Sequence, residues 1–385
     1  MSGTRYTPRG MLEALVGIPT VSRDSNLALV DFVTRYLRGH GVEARVVASD
    51  CGEKASLYAT VGPMVPGGVV LSGHTDVVPV DGQDWHSDPF AIVERDGRLF
   101  GRGTCDMKGF IAIALALVPD MISLRYPIHF ALSYDEEVGC LGAPRLIDAI
   151  TANLPRPRAV IVGEPTGMRV VTAHKSMFIF ETRVNGFEAH SSKQNLGVPA
   201  VMVAGRLVNW LAERQAQNRE RAEPECPFEP GYSTLHCGVI HGGTAQNITA
   251  RECRFITDIR TLPEEDPMTF FQELERFARE DLEPEMQRVH PDTGIEFDIR
   301  SQVPGFNARE DDPAVVLAKQ LTGQNTTESV AYGAEAGQFQ EAGLSVVMCG
   351  PGSIDQAHQP NEYLSLDQLD QGIGFMRRLI AQLSG

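Results

Sequence analysis

The sequence predicts an α/β protein: a catalytic domain built on a mostly parallel sheet, carrying an inserted ferredoxin-like α+β domain. Three observations predict this. Helical and strand-like apolar patterns alternate up to about residue 175 and resume after Pro304, the texture of helices layered on a parallel sheet. Between them runs a β-α-β-β-α-β order, the split pattern of a small ferredoxin-like unit. At 385 residues the chain is also long enough for two domains, each with its own core. The expected boundaries are 1–176 and 301–385 for the catalytic domain and 177–300 for the insert.

The elements follow in order. Residues 26–37 carry apolar side chains at helical spacing and stop before Gly39. Strands are expected at 42–47, 57–61 and 69–71, the last a continuous apolar run that reads as buried on both faces. A helix at 108–117, a strand at 128–133, a helix at 143–149 and a strand at 159–162 complete the first alternation. In the insert, 177–184 alternates as a strand and 200–212 is helical. Strands at 235–240 and 248–259 follow, then a polar helix at 268–280 and a strand at 295–299. Helices at 314–321, 336–341 and 366–383, with a strand at 345–348, restore the first texture. Residues 220–230 form a Pro/Glu-rich loop, and no internal repeat or low-complexity tract appears.

Composition narrows the function. At 42% hydrophobic and 22% charged residues the chain is an ordinary globular one. With 34 Lys and Arg against 50 Asp and Glu its net charge is −16, which argues against non-specific nucleic-acid binding, since phosphate neutralisation needs clustered cations. The seven cysteines, Cys51, Cys105, Cys140, Cys226, Cys237, Cys253 and Cys349, are odd in number and include no CxxC pair. They read as reduced thiols and favour the cytoplasm. The first nine residues hold no apolar signal region. The longest apolar stretch, 110–118, falls far short of the ~20 residues that cross a bilayer, so no membrane partner is expected.

The chemistry lies at predicted strand ends, where α/β sheets place their ligand sites. Ser72-Gly73-His74-Thr75-Asp76 offers His74 as a ligand and Asp76 as a carboxylate for the other imidazole nitrogen. Gly101-Arg102-Gly103-Thr104-Cys105-Asp106 puts an acid just before a helix, where its two oxygens can bridge two metals. Asp135-Glu136-Glu137 ends the 128–133 strand, and three adjacent acids need compensating cations. Gly163-Glu164-Pro165-Thr166 ends the next strand, and Gln356-Ala357-His358 supplies a second histidine. Each alone reads as an ordinary solvated or hydrogen-bonded side chain. Their order is more telling: two histidines and three carboxylates, plus a spare Glu, suit two zinc-like ions with coordination left open for water.

With these motifs the chain resembles the dinuclear zinc deacylases and peptidases that include aminoacylase, succinyl-diaminopimelate desuccinylase and acetylornithine deacetylase, over essentially its whole length. The resemblance implies a zinc-peptidase-like catalytic domain whose insert is a lid and dimerisation domain. It implies two Zn2+ per chain, with Co2+ as a substitute, and a homodimer. Asp106 would bridge both metals, His74 and Glu164 would complete one site, and Glu137 and His358 the other. Glu136 would be the general base, and the peptide bond after Asp106 would be cis. The roles are chemically consistent. Bridged metals acidify a shared water, and an unligated Glu136 can accept its proton and pass it to the leaving amine. No Gly-x-Ser-x-Gly elbow competes.

In the insert, Phe187-Glu188-Ala189-His190-Ser191-Ser192 resembles the family's Gly-His-Ser-Ser segment, with Ala189 and Lys193-Gln194 departing from it. His190 would then donate to the oxyanion, contributed by the partner subunit. Asn247 and Arg260 resemble groups that bind the substrate carboxylate, Arg260 through a bidentate fork. On residues alone, Arg260 could equally pair with Asp258 or Glu252. The Gly163–Thr166, Gly333-Ala334-Glu335-Ala336 and Gly350–Pro360 segments resemble the acetylornithine-cleaving members, and desuccinylases tend to carry Ser where Glu335 stands. That implies a small-molecule N-acyl amino acid as substrate, N2-acetyl-L-ornithine first, with Glu335 selecting a cationic side chain. Tyr332 and Gly337 depart from the usual neighbours. Succinyl-diaminopimelate, acetylcitrulline or general acyl-amino acids stay open as substrates, as does a catalytically silent metal-binding scaffold. The Trp85-His86-Ser87-Asp88-Pro89-Phe90 loop reads as structural, Cys105 and Cys140 as small packing residues.

Overall fold

Val69, Val70 and Leu71 are sealed from solvent on both faces, as a continuous apolar run requires, and the central sheet is built around them. The computed structural model describes residues 3–385; Met1 and Ser2 of the N-terminal segment lie outside it. Helices α1 (Pro8–Val16) and α2 (Leu27–Gly39) precede strands β1 (Ala44–Ala48), β2 (Ala55–Val61) and β3 (Val69–His74). The hairpin β4 (Val93–Arg95) and β5 (Arg98–Phe100) leads into α3 (Lys108–Ala116), then β6 (Ile128–Ser133), α4 (Ala143–Asn153), β7 (Ala159–Val162) and β8 (Val171–His174). Next come β9 (Met177–Asn185), α5 (Ala200–Glu220), β10 (Thr234–Gly242), β11 (Glu252–Arg260), α6 (Pro267–Phe277), α7 (Glu283–Val289) and β12 (Gly294–Val303). The chain finishes with β13 (Phe306–Asn307), α8 (Pro313–Thr322), β14 (Glu328–Val330), α9 (Ala336–Glu341), β15 (Val346–Met348), β16 (Tyr363–Ser365) and α10 (Leu366–Ser384).

These elements form two units. The first holds the described residues up to Ala173, with Phe306–Ser329 and Ala334–Gly385; the second holds His174–Gly305 and Val330–Gly333. In the first, the sheet order is β1-β2-β6-β3-β7-β15-β8-β13, with β14 on β8. Its middle is parallel, β3 pairing in parallel with β6 and β7, and β15 with β7. The outer pairs β1·β2, β2·β6 and β15·β8 are antiparallel. Helix α3 is apolar all round and every one of its residues is buried, the pattern of a helix enclosed by a core. Helix α1 falls outside the sequence expectation because nine residues give too little periodicity. Its start signals are nonetheless present: Thr7 accepts the N–H of Gly10 and Pro8 opens the helix.

The second unit is a four-stranded antiparallel sheet of order β10-β11-β9-β12. Burial alternates along β9, so Phe178 and Phe180 point into one core, where Phe180 meets Phe271 of α6 edge-on at 5.1 Å between ring centres. Helix α5 runs to Glu220, past the expected stop at residue 212. Its last two turns are rich in Glu, Arg, Gln and Ala, which sustain a solvated helix without an apolar stripe.

Candidate metal centre

Register brings the chemistry together. Along β3, His74 stands opposite Ser133 of β6, and Ser72 opposite Val162 of β7. Because these strands are parallel, the residues that follow β6 and β7 leave the sheet at the same edge as His74. Asp135, Glu136 and Glu137 emerge from β6, and Glu164 from β7. The residue before Glu164 must be glycine: a Cβ on Gly163 would lie 2.1 Å from the Phe110 ring of α3. Asp106 comes from the β5–α3 loop, with a cis peptide bond to Met107. His358, from the β15–β16 loop, adopts a left-handed φ of 62°.

Two triads result, His74–Asp106–Glu164 and Asp106–Glu137–His358, each with its ligand atoms within 4.8 Å of one another. Asp106 belongs to both and turns one oxygen to each histidine. Its Oδ1 lies 3.0 Å from His74 Nε2 and its Oδ2 3.4 Å from His358 Nε2. Glu164 Oε1 lies 4.0 Å from His74 Nε2, and Glu137 Oε2 lies 2.8 Å from His358 Nε2. His74, Asp106 and Glu164 are buried, whereas the His358 side chain is 50% exposed. One flank of the centre therefore opens to solvent.

Asp76 orients this site in a manner the sequence does not convey. The Nδ1–H of His74 donates to the backbone carbonyl of Asp76 at 2.9 Å, which fixes the tautomer and turns Nε2 toward Asp106. The Asp76 carboxylate lies 3.7 Å from Nδ1. It accepts instead from Ser22 Oγ at 2.8 Å and from the backbone N–H groups of Glu136 and Glu137 at 3.1 and 3.3 Å. One residue thus holds the histidine through its main chain and the acidic loop through its side chain. The cation that the Asp135–Glu137 run calls for is Lys54, whose Nζ donates to Asp135 Oδ1 at 2.6 Å.

The electrostatics are those of a cation-binding cluster. Burial pushes the carboxyl groups of Glu136 and Glu164 well above the ordinary range, and neighbouring carboxylates push the same way. Burial and Asp106 bring Glu137 up to about 7. Burial also works against ionisation of Asp106, yet hydrogen bonds from His358 and His74 overcome it and hold the group low. Those same carboxylates, Asp106 and Glu137, raise His358 to about 10. Glu137 Oε1 and Glu164 Oε1 are buried without a hydrogen-bond partner, a cost that a cation relieves. Carboxylate oxygens and imidazole nitrogens, with no cysteine among them, are donors that suit divalent cations. The residues fit two divalent ions.

Other expected residues stand as follows. Glu335, just before α9, is 1% exposed, and its oxygens accept from Ser72 Oγ, at 3.0 Å, and from Ser133 Oγ. Cys140 Sγ donates to Glu136 Oε1 at 3.3 Å, a contact the packing reading did not contain. In the second unit, His190 is exposed, its Nδ1 2.8 Å from Ser192 Oγ, and its backbone bridges Ile248. Asn247 lies beside it, its carbonyl accepting from Ser191 N–H at 2.9 Å. Arg260 Nε donates to Asp258 Oδ2 at 3.0 Å, one of the two pairings its sequence allowed. Glu362, to which sequence reading gave no task, accepts the N–H of Cys105 and Asp106 at 2.8 and 3.0 Å.

Comparison with known proteins agrees with this architecture. Residues 70–382 match peptidase family M20/M25/M40. The chain is 35% identical to the acetylornithine deacetylase of Myxococcus xanthus, an alignment that covers 100% of both proteins. Among solved structures it resembles an M20 family metallo-carboxypeptidase, Sso-CP2, of Sulfolobus solfataricus, with a TM-score of 0.77 at 16% identity, covering 98% of this chain and 99% of the other. It also resembles the Bacillus subtilis YXEP protein, described as a dinuclear metal-binding peptidase of the M20 family. There the TM-score is 0.65 at 16% identity, with 98% and 97% coverage.

Proposed function

The chain belongs to peptidase family M20/M25/M40 and is a metal-dependent amide hydrolase, and on that footing we propose that it removes the acetyl group from N2-acetyl-L-ornithine. The observation that carries the substrate is the end-to-end similarity to an acetylornithine deacetylase. We assign two Zn2+ per chain, with Co2+ able to replace them: His74, Asp106 and Glu164 hold one ion, and Asp106, Glu137 and His358 the other. The two triads sharing Asp106 support this assignment. Bound there, the ions supply Lewis acidity toward the scissile carbonyl and toward water.

The chain's own residues do the rest. Glu136 stands next to a ligand without belonging to either triad, so its carboxylate is free to take a proton from the attacking water and return it to the leaving amine. The water oxygen bonds to the acyl carbon and leaves an oxyanion; as this collapses the C–N bond breaks, the nitrogen takes the proton held by Glu136, and acetate and ornithine leave. Asp76 holds the Glu136 main chain. His190, from the partner subunit of a homodimer, donates to the oxyanion, and Asn247 and Arg260 bind the substrate carboxylate, Arg260 with its Nη groups, since Nε serves Asp258. Glu335 is sealed by Ser72 and Ser133, so it favours a cationic side chain through its field rather than by contact.

A cytoplasmic location is supported by seven free cysteines and by the lack, among described residues, of a helix long and apolar enough to cross a membrane. The substrate is tested by kcat/KM of the zinc-loaded protein for N2-acetyl-L-ornithine, N2-acetylcitrulline, N-acetylmethionine and N-succinyl-diaminopimelate. Acetylornithine should rank first. A higher value for the succinyl compound makes the protein a desuccinylase, and no turnover of any acyl amino acid makes it a scaffold. Light scattering after gel filtration tests the dimer.

A further inference from the structure

A hydrogen-bonded cluster touches both Asp106 and His358, although its members come from three distant stretches of the first unit. Gln83 Nε2 donates to the backbone carbonyl of His358 at 2.8 Å. Its Oε1 accepts from Trp85 Nε1 at 3.0 Å and from Arg102 Nη2 at 2.5 Å. Arg102 Nη1 in turn donates to Glu362 Oε2 at 2.8 Å. Glu362 Oε1 accepts the N–H of Cys105 and Asp106, and Oε2 also accepts the N–H of Gly103 at 3.0 Å. Arg102 and Glu362 are each 1% exposed.

The chemistry of each member is specific. Both oxygens of Glu362 are filled by donors, so it has no lone pair to offer an ion. It serves the loop that presents Asp106. An ion pair this deeply buried costs desolvation free energy and is weak evidence of stabilisation in itself, which turns attention to what it holds in place. At position 83 the amide does both jobs at once, donating to the His358 carbonyl through Nε2 and accepting from the Arg102 guanidinium through Oε1. The carbonyl it holds belongs to a half-exposed, left-handed histidine, a conformation that a non-glycine residue keeps when its surroundings fix it.

We propose that Gln83 is a positioning residue for the second metal position: through His358 on one side and Arg102–Glu362 on the other, it sets the spacing of His358 from Asp106. The proposal rests on the reading that Asp106, Glu137 and His358 hold an ion. Groups that support metal ligands from behind are typically worth about 10- to 100-fold in affinity.

The test titrates metal-free protein with Zn2+ in competition with a chromophoric chelator, alongside the melting temperature of the metal-free form. Wild type should bind two ions and His358→Ala one, which identifies the ion that depends on His358. Gln83→Ala should weaken that ion about 10- to 100-fold while the other ion and the metal-free melting temperature stay at wild-type values. Gln83→Glu, which keeps an acceptor for Arg102 but has no donor for the carbonyl, should behave like Gln83→Ala. Wild-type affinity in either variant overturns the proposal, and so does an equal loss at both ions with a lowered melting temperature. A wild type that binds fewer than two ions, or His358→Ala retaining both, overturns the metal assignment instead.

Discussion

The carboxylate of Asp76 accepts the backbone N–H of Glu136 at 3.1 Å. Through that bond the residue that anchors His74 also sets where the proposed base stands. Asp76→Asn keeps the size but exchanges an acceptor for a donor that faces Ser22 or the loop N–H groups. We expect kcat to fall about 10- to 100-fold with KM little changed and both ions retained, measured by steady-state kinetics beside metal analysis. Loss of an ion would instead make Asp76 a support of His74 alone.

Glu335 carries the proposed preference for a cationic substrate. Burial pushes the Glu335 carboxyl up, while the hydrogen bonds from Ser133 and Ser72 favour its charged form; in that form Glu335→Gln should lower kcat/KM for N2-acetyl-L-ornithine relative to N-acetylmethionine, because a buried charge is poorly screened. An unchanged ratio removes Glu335 from substrate selection and leaves it a bonding partner for Ser72 and Ser133.

Four carboxylates, those of Asp106, Glu136, Glu137 and Glu164, crowd the centre, and two buried oxygens among them have no hydrogen-bond partner. The metal-free protein should therefore be the less stable form. Saturating Zn2+ at about 100 times the dissociation constant contributes ~2.7 kcal/mol per site, so scanning calorimetry should record a melting temperature several degrees higher than in chelator.

His129 in β6 is fully buried, with Nδ1 2.9 Å from Thr60 Oγ1 and Nε2 without a partner. Burial lowers its pKa from 6.5 to about 4. Below pH 6.5 the unfolded chain binds a proton that the folded protein refuses, so stability falls as pH drops toward 4. At roughly 1.4 kcal/mol per pH unit the loss is bounded by ~3 kcal/mol. Urea unfolding of the metal-free protein at pH 7.5 and pH 5 should show a smaller pH effect in His129→Leu than in wild type. Equal effects would place the acid sensitivity elsewhere.

The sequence conveys the sheet and the strand-end chemistry because both are local. An apolar run such as Val69–Leu71 announces a buried strand, and the ordered series of histidines and acids at strand ends, rather than any one of them, points to a candidate metal centre. What it does not convey is who holds those residues. Gln83 and His358 are 275 positions apart, Glu362 and Asp106 are 256, and Lys54 and Asp135 are 81. No periodicity links such pairs, and each member alone reads as an ordinary polar side chain. Asp76 shows the same limit at short range. Its spacing from His74 suggests a carboxylate–imidazole bond, yet the main-chain carbonyl takes that bond and frees the carboxylate for Glu136 and Glu137.

If Glu136 moves the proton and is not a ligand, Glu136→Gln separates catalysis from metal binding. The variant should still bind two ions per chain while kcat for N2-acetyl-L-ornithine falls about 100- to 10,000-fold. A variant that keeps its two ions and turns over close to the wild-type rate would contradict that role.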